Sequence, residues 1–295
     1  MRNSSPALRY WMLGLLMPSV SVVIPCYNQG HYLHEAIASV DDQSFREFEI
    51  VVVDDGSTFP ETIRTIDALR DSHIRVIRTS NQGLAAARNT GIAHSTGKYI
   101  LPLDADDRIG PAYLEKAVAV LEMDPGIGIV YCEAAFFGAV QGRWELAPYA
   151  FPDILISPRI FACAFFRRAA WEAAGGFSSE MQGGWEDYDF WLSLIERGAG
   201  VHCIPEVLFH YRQHPGNMIT GLTRKQYVGL YERLFHRHRE LYLNHIDALF
   251  SAIVSHWEIP PHRPRTLVRL LRLASSLRAR LGLPAKFWQW RRQMR

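Results

Sequence analysis

Over its first 105 residues the chain alternates strictly between two patterns. Short runs rich in Val and Ile, at 20–24, 49–53, 74–78 and 98–103, are separated by longer stretches of helical spacing at 31–40, 61–70 and 84–94. Such bounded β-branched runs read as strands and the intervening stretches as helices. A βαβαβαβ series leaves few solutions: the sheet is mostly parallel, its crossovers are right-handed, and helices cover both faces. A helix at 111–122 and a strand at 128–135 extend the layer. From 138 to 166 the sequence is irregular and aromatic-rich; helices follow at 167–174 and 187–197, short strands at 201–204 and 208–211, and polar-faced helices over 221–256. The predicted class is therefore α/β, a Rossmann-like mixed, mostly parallel sheet with a helical C-terminal extension.

Open sheets of this kind bind ligands outside the carboxyl ends of their strands. In order, those ends carry Pro25-Cys26-Tyr27-Asn28, Asp54-Asp55-Gly56-Ser57, Thr79-Ser80-Asn81 and Asp104-Ala105-Asp106-Asp107. Any one of these reads equally well as a turn, but four successive strands delivering aromatic, amide or carboxylate groups to one rim point to a site. Asp104 and Asp106, two apart at the end of an extended segment, can approach one cation, and hard oxygen donors suit Mg²⁺ or Mn²⁺ with phosphate oxygens completing the shell. The alternative for this pair is a solvated acidic loop. No GxxxxGK[ST] or GxGxxG loop follows the first strand, which counts strongly against kinases, P-loop ATPases and classical dehydrogenases.

A second acidic cluster, Trp185-Glu186-Asp187-Tyr188-Asp189, follows Gly183-Gly184. Carboxylates in a first helical turn can serve only as caps, yet Phe190, Trp191 and Leu194 would bury part of this turn, and a partly desolvated Asp187 can act as a general base. Late in the chain His214 stands beside Arg212, placed to reach a diphosphate or its metal.

SVVIPCYNQG from residue 21, VVVDDGST from 51, NQGLAAARNTG from 81, LPLDADD from 101, GGWEDYDFW from 183 and YRQH from 211 together resemble a family 2 glycosyltransferase with the GT-A fold. The resemblance covers about residues 18–220 and implies transfer of a sugar, with inversion, from a nucleotide diphosphate donor, usually a uridine one. It implies that Pro25, Tyr27 and Asp55 hold the base, with Asn28, Gly56 and Ser57 in the same loops. Asn81, Gly83 and Arg88 would line the ribose and diphosphate. Asp104, Ala105 and Asp106 would form the DXD-like segment, with Asp104, Asp106 and His214 serving the metal. Asp187 would be the catalytic base, supported by Glu186. Two other readings stand beside it: a catalytically inactive glycosyltransferase-like binding protein, which would lack these carboxylates, and a nucleotidyltransferase, which would carry a basic phosphate loop where Tyr27-Asn28-Gln29-Gly30 has no cation.

The partners implied are a nucleotide-sugar donor and a saccharide or lipid-linked saccharide acceptor. Trp144, Tyr149, Phe151, Phe161 and Phe165 form either an aromatic acceptor wall or ordinary core under a loop. The organisation expected is an N-terminal extension at 1–17, a glycosyltransferase domain at 18–220 whose nucleotide half ends at 107 and whose acceptor half spans 108–220, a helical extension at 221–262, and a basic amphipathic tail at 263–295. Met17-Pro18 looks like a family start, and the apolar run at 10–17 behind Arg2 and Arg9 is too short to span a bilayer.

Charge divides the chain unevenly. Ten of its 32 basic residues and none of its 30 acidic ones fall in 263–295, leaving 22 basic against 30 acidic residues before it. An acidic body repels phosphates in the absence of a metal, so nucleic acid is not an expected partner. A basic amphipathic tail suits an anionic membrane surface or the acidic body itself. Four dispersed cysteines without a CxxC pair fit a reduced compartment. The location expected is cytoplasmic and peripheral, at the inner face of the cytoplasmic membrane.

Overall fold

The computed structural model describes residues 19–214 and 222–256, and the predicted N-terminal extension and basic tail lie outside them. The chain divides into two compact units, Met1–Ile246 and Asp247–Arg295. Among the described residues no helix is long and apolar enough to cross a membrane.

The predicted alternation is realised as β1 (Val20–Cys26), α1 (Gly30–Asp41), β2 (Phe48–Asp54), α2 (Pro60–Ala68), β3 (Ile74–Arg78), α3 (Leu84–Ala93) and β4 (Tyr99–Pro102). Every residue of β1 and β4 is buried, the mark of parallel strands covered on both faces. Leu33, Ala36, Ile37 and Val40, at helical spacing, are the buried stripe of α1. In α3, Gly91 admits close packing: a Cβ there would lie 2.3 Å from Val23 Cγ1 and 3.0 Å from Val53 Cγ2.

Next come β5 (Arg108–Ile109), α4 (Tyr113–Met123), β6 (Ile127–Gly138), β7 (Gly142–Trp144), β8 (Phe165–Arg167), α5 (Arg168–Ala174), α6 (Glu186–Glu196) and β9 (Gly200–Gln213). Helices α7 (Arg224–Arg237), α8 (Arg239–Asn244) and α9 (Ile246–His256) follow. Among the described residues nine strands form one sheet in the order β3-β2-β1-β4-β8-β6-β9-β5, with β7 beside β6. Strands β3, β2, β1 and β4 are mutually parallel, as are β6 and β9. β8 runs antiparallel between β4 and β6 and welds the two halves together.

Two predicted strands at 201–204 and 208–211 are a single strand, β9. Its register against β6 slips between the pairs Cys132–Ile204 and Glu133–Val207, where Pro205 has no N–H to offer the ladder. The order 3-2-1-4 makes the gap between β1 and β4 the point where the chain reverses direction across the sheet. Ligand crevices of α/β sheets open at such a point.

Candidate active site

The loops at that crevice are fastened to one another before any ligand is considered. After β1, Tyr27 is 45% exposed. Asn28 takes the left-handed conformation, φ 57°, which its short amide tolerates. Its Oδ1 accepts the backbone N–H groups of Thr58 (2.8 Å) and Phe59 (2.9 Å), and its own N–H donates to Ser57 Oγ (3.0 Å). Asn28 and Ser57 thus lock the β1 loop to the β2 loop, leaving Tyr27 as the projecting group. Buried Asp55 accepts from Gln82 N–H (2.9 Å), Gly83 N–H (2.8 Å) and the Thr79 hydroxyl (3.0 Å). Three of its roughly four acceptor positions are therefore taken. Gly56, at φ +76°, lies so close to the next loop that a Cβ would sit 2.6 Å from Asn81 N. Asn81 and Gly83 are exposed along this rim.

After β4, Ala105 is fully buried, while the Asp104 and Asp106 side chains keep 28% and 11% of their surface. Asp106 Oδ2 lies 2.8 Å from His214 Nε2 and accepts from Gln29 Nε2 at 3.1 Å. Burial, reinforced by Asp104, raises the Asp106 pKa, and His214 opposes this. Asp107 accepts the Arg212 backbone N–H (2.8 Å), and Arg212 Nε donates to the Asp106 carbonyl (2.7 Å). The Arg212 guanidinium lies over the rings of Tyr32 (4.4 Å) and Phe137 (4.2 Å). β9 is thereby stitched to the acidic loop, and this is what brings His214 to Asp106.

Arg88 is placed differently from the expectation that it lines the diphosphate. Its side chain is 1% exposed, with one guanidinium nitrogen on Glu186 Oε1 (2.5 Å) and the other on Asp104 Oδ1 (2.7 Å). Burial disfavours its charge, but Asp104, Glu186 and Asp187 outweigh that and raise its pKa. One buried cation therefore ties the acidic loop after β4 to the acidic first turn of α6. Helix α6 starts from Trp185, held at φ 66°. Asp187 is partly exposed, and its Oδ1 accepts the Tyr188 N–H at 2.8 Å. Burial, with the Glu186 charge beside it, pushes the Asp187 carboxyl up to about 7, and Arg88 restrains the rise.

Residue types alone did not single out Gln29, Asp107 or the Asp104–Arg88–Glu186 bridge. Each depends on a partner distant in sequence, and the only visible hint was the third acid of Asp104-Ala105-Asp106-Asp107. Of the five aromatics, Trp144 and Phe161 lie in ring contact at 6.1 Å, Tyr149 donates its backbone N–H to the Tyr131 hydroxyl at 2.9 Å, and Phe165 and Phe151 lie in other contacts. Phe165 and Phe161 are core, edge-on to Tyr113 and stacked on Phe209, respectively. Trp144 stacks on Phe136, and exposed Phe151 packs against His245.

Among the described residues no three or more His, Cys, Asp or Glu side chains form a closed metal cage. The facing oxygen of Asp106 and nitrogen of His214 are an open donor set. It fits a hard divalent cation that takes its remaining ligands from substrate phosphates and water.

The family model described as Glycosyl transferase family 2 matches residues 21–173, and that of Glycosyl transferase family group 2 matches 99–288. EpsE of Bacillus subtilis, named a glycosyltransferase, is 32% identical over 205 residues, 66% of this chain and 73% of its own. Two further curated relatives are matched over 24% and 65% of their length, so the chain spans only part of them. S. aureus TarS 1–349 in complex with UDP-GlcNAc superposes with a TM-score of 0.63 at 19% identity, covering 74% of this chain and 66% of that one. The mannosyltransferase PcManGT from Pyrobaculum calidifontis, in complex with GDP-Man and Mn²⁺, gives 0.54 at 21% identity, covering 93% and 88%. These likenesses carry the fold, the GT-A arrangement implied by the sequence.

Proposed function

The chain belongs to glycosyl transferase family 2, and on that premise we propose that it transfers a sugar, with inversion, from a nucleotide diphosphate donor, most simply a uridine one, to an acceptor hydroxyl. The carrying observation is the Asp104–Arg88–Glu186 bridge, which holds donor-side and acceptor-side carboxylates in one crevice. The inactive-protein alternative finds no support in this, because both carboxylate clusters are present and preorganised.

In this reading Tyr27 projects beside Pro25 to stack on the base. Asp55 spends its remaining acceptor position on the base while fixing the 79–83 loop. Asn28, Gly56 and Ser57 shape the cradle, and Asn81 and Gly83 line the ribose and diphosphate with Asp104 and Ala105. Asp106 and His214, assisted by Asp104, would hold Mn²⁺ or Mg²⁺, which when bound neutralises charge on the departing nucleotide diphosphate. Asp187 takes the proton of the attacking hydroxyl at its carboxylate, and Glu186 fixes the guanidinium that keeps Asp187 ionisable. The acceptor is a saccharide or lipid-linked saccharide of surface polysaccharide or glycolipid synthesis. The domain division at 18–220 and a cytoplasmic, membrane-peripheral placement through residues 263–295 belong to the same proposal.

The test is Asp187→Asn, which removes the base and leaves the nucleotide loops intact. Turnover should fall by about 10²–10⁴ while calorimetric donor binding persists; near-normal transfer by the variant would overturn the assignment. Release of a nucleoside diphosphate rather than pyrophosphate separates this chemistry from nucleotidyl transfer.

A further inference from the structure

A cavity of about 470 Å³ lies between the Gln182-Gly183 segment and α7, lined by none of the residues of the nucleotide crevice. Leu222 and Leu230 give it an apolar lining, Lys225 and Arg233 supply two cations, and among the described residues of the lining none is acidic. Among the described residues neither cation pairs with a carboxylate. Arg233 donates to the Gln182 carbonyl at 3.0 Å, but its Nε is buried without an acceptor. A buried N–H in that state is costly unless something accepts from it.

The cavity is also fixed with respect to Asp187. Gly183 is four residues before it, a reach of at most about 14 Å along an extended chain. Between them Trp185 packs edge-on against Tyr231 (4.7 Å) and Tyr227 (5.5 Å) of α7. Further along, Arg237 and His238 donate to Asp189 of α6 at 2.6 and 3.1 Å. The helix bearing both cations is thus clamped to the helix bearing the base.

We propose that this cavity is a subsite for a phosphoryl group carried by the acceptor, with Lys225 and Arg233 taking its oxygens and the leucines meeting an apolar portion of the same molecule. The proposal rests on the reading of Asp187 as the base, and it narrows the acceptor to a phosphorylated amphiphile. A phosphoryl group suits two cations on different stems, because its several oxygens can accept from both at once.

Calorimetry with octyl phosphate in EDTA reads the subsite while metal-assisted nucleotide binding is silent. The full chain should bind it, Lys225→Gln should weaken binding about tenfold, and Lys225→Gln/Arg233→Gln should weaken it further. No binding to the unmodified chain, or equal binding by all three proteins, would overturn the subsite. So would preferential binding of glucuronate, which would make it a carboxylate site. If circular dichroism shows the double variant unfolded, exposed Lys225 decides the matter alone. UDP binding with Mn²⁺ and nucleoside diphosphate release are read in parallel. Their failure beside intact octyl phosphate binding would sink the transferase reading and leave an anion site, whereas the converse would sink only the subsite.

Discussion

At Asp187 two opposing influences meet on one carboxyl group. Burial and Glu186 disfavour its ionised form, and the buried Arg88 cation favours it. A base must be unprotonated to act, so with a carboxyl pushed up to about 7 the transfer rate should fall on the acid side of neutrality. The pH profile of kcat/KM should show an acidic limb near 7, with about a tenfold loss per unit below it. A limb near 4 would mean that Asp187 is not the titrating base. Removing Arg88 takes away the influence that lowers this pKa, so Arg88→Gln should move the limb to higher pH. Arg88→Lys, which keeps the charge but cannot bridge two carboxylates as a planar fork does, should lie between. Arg88→Gln also leaves two carboxylates without their buried cation, for which a stability loss of about 3–5 kcal/mol is the ordinary scale; denaturation midpoints check this separately from the pH profile. The sequence displayed both acids and the arginine, yet the family resemblance implied the ribose and diphosphate for Arg88. Nothing local tells a helix residue that its partners lie at Asp104 and Glu186, and only the packing of α3 beneath both loops decides it.

At the scale of elements, what the sequence revealed and what it hid follow from length. β1, β2 and β4 announce themselves because parallel strands buried on both faces need near-continuous apolar residues; β3, an edge strand with no fully buried residue, shows through its short β-branched run, and the intervening helices through a periodic apolar stripe. β5, β7 and β8 span two or three residues, too few for any period, and exist because neighbouring strands supply their hydrogen bonds. Phe165 belongs to a strand for that reason, where the sequence left it open between an aromatic acceptor wall and ordinary core. Close packing gives α3 its own test. Gly91→Ala gains some helix propensity but drives a Cβ to 2.3 Å from Val23 Cγ1, a short branched side chain in a filled core. Overpacking of this kind costs about 1–3 kcal/mol. A thermal scan should show a lower midpoint, and nucleotide affinity should weaken with it, since α3 carries Arg88 and begins beside Gly83. An unchanged midpoint would mean that the helix can shift without penalty.

For the whole molecule, the two sides of the site are legible as motifs, but their union is a property of the sheet. The 3-2-1-4 order places Tyr27 and Asp104 at one crevice, β8 joins the second half antiparallel, and the Arg212 contacts return the end of β9 to the acidic loop. Charge is arranged on the same scale. The body before residue 263 is net acidic, and the charged residues of the remainder are all basic. If residues 263–295 meet an anionic bilayer, each basic residue contributes about 1 kcal/mol, and the attraction weakens as the Debye length shrinks from about 10 Å at 0.1 M salt to about 3 Å at 1 M. The full chain should co-sediment with phosphatidylglycerol vesicles at low salt, release at high salt and ignore neutral vesicles. Replacing Arg269, Arg272, Arg291 and Arg292 with Gln should cut the bound fraction at least about tenfold. If the basic residues instead answer the acidic body, the same replacement would leave sedimentation unaltered and lower the thermal midpoint. The two outcomes move different observables, so one protein pair decides whether the near-cancellation of charge serves a surface or the fold.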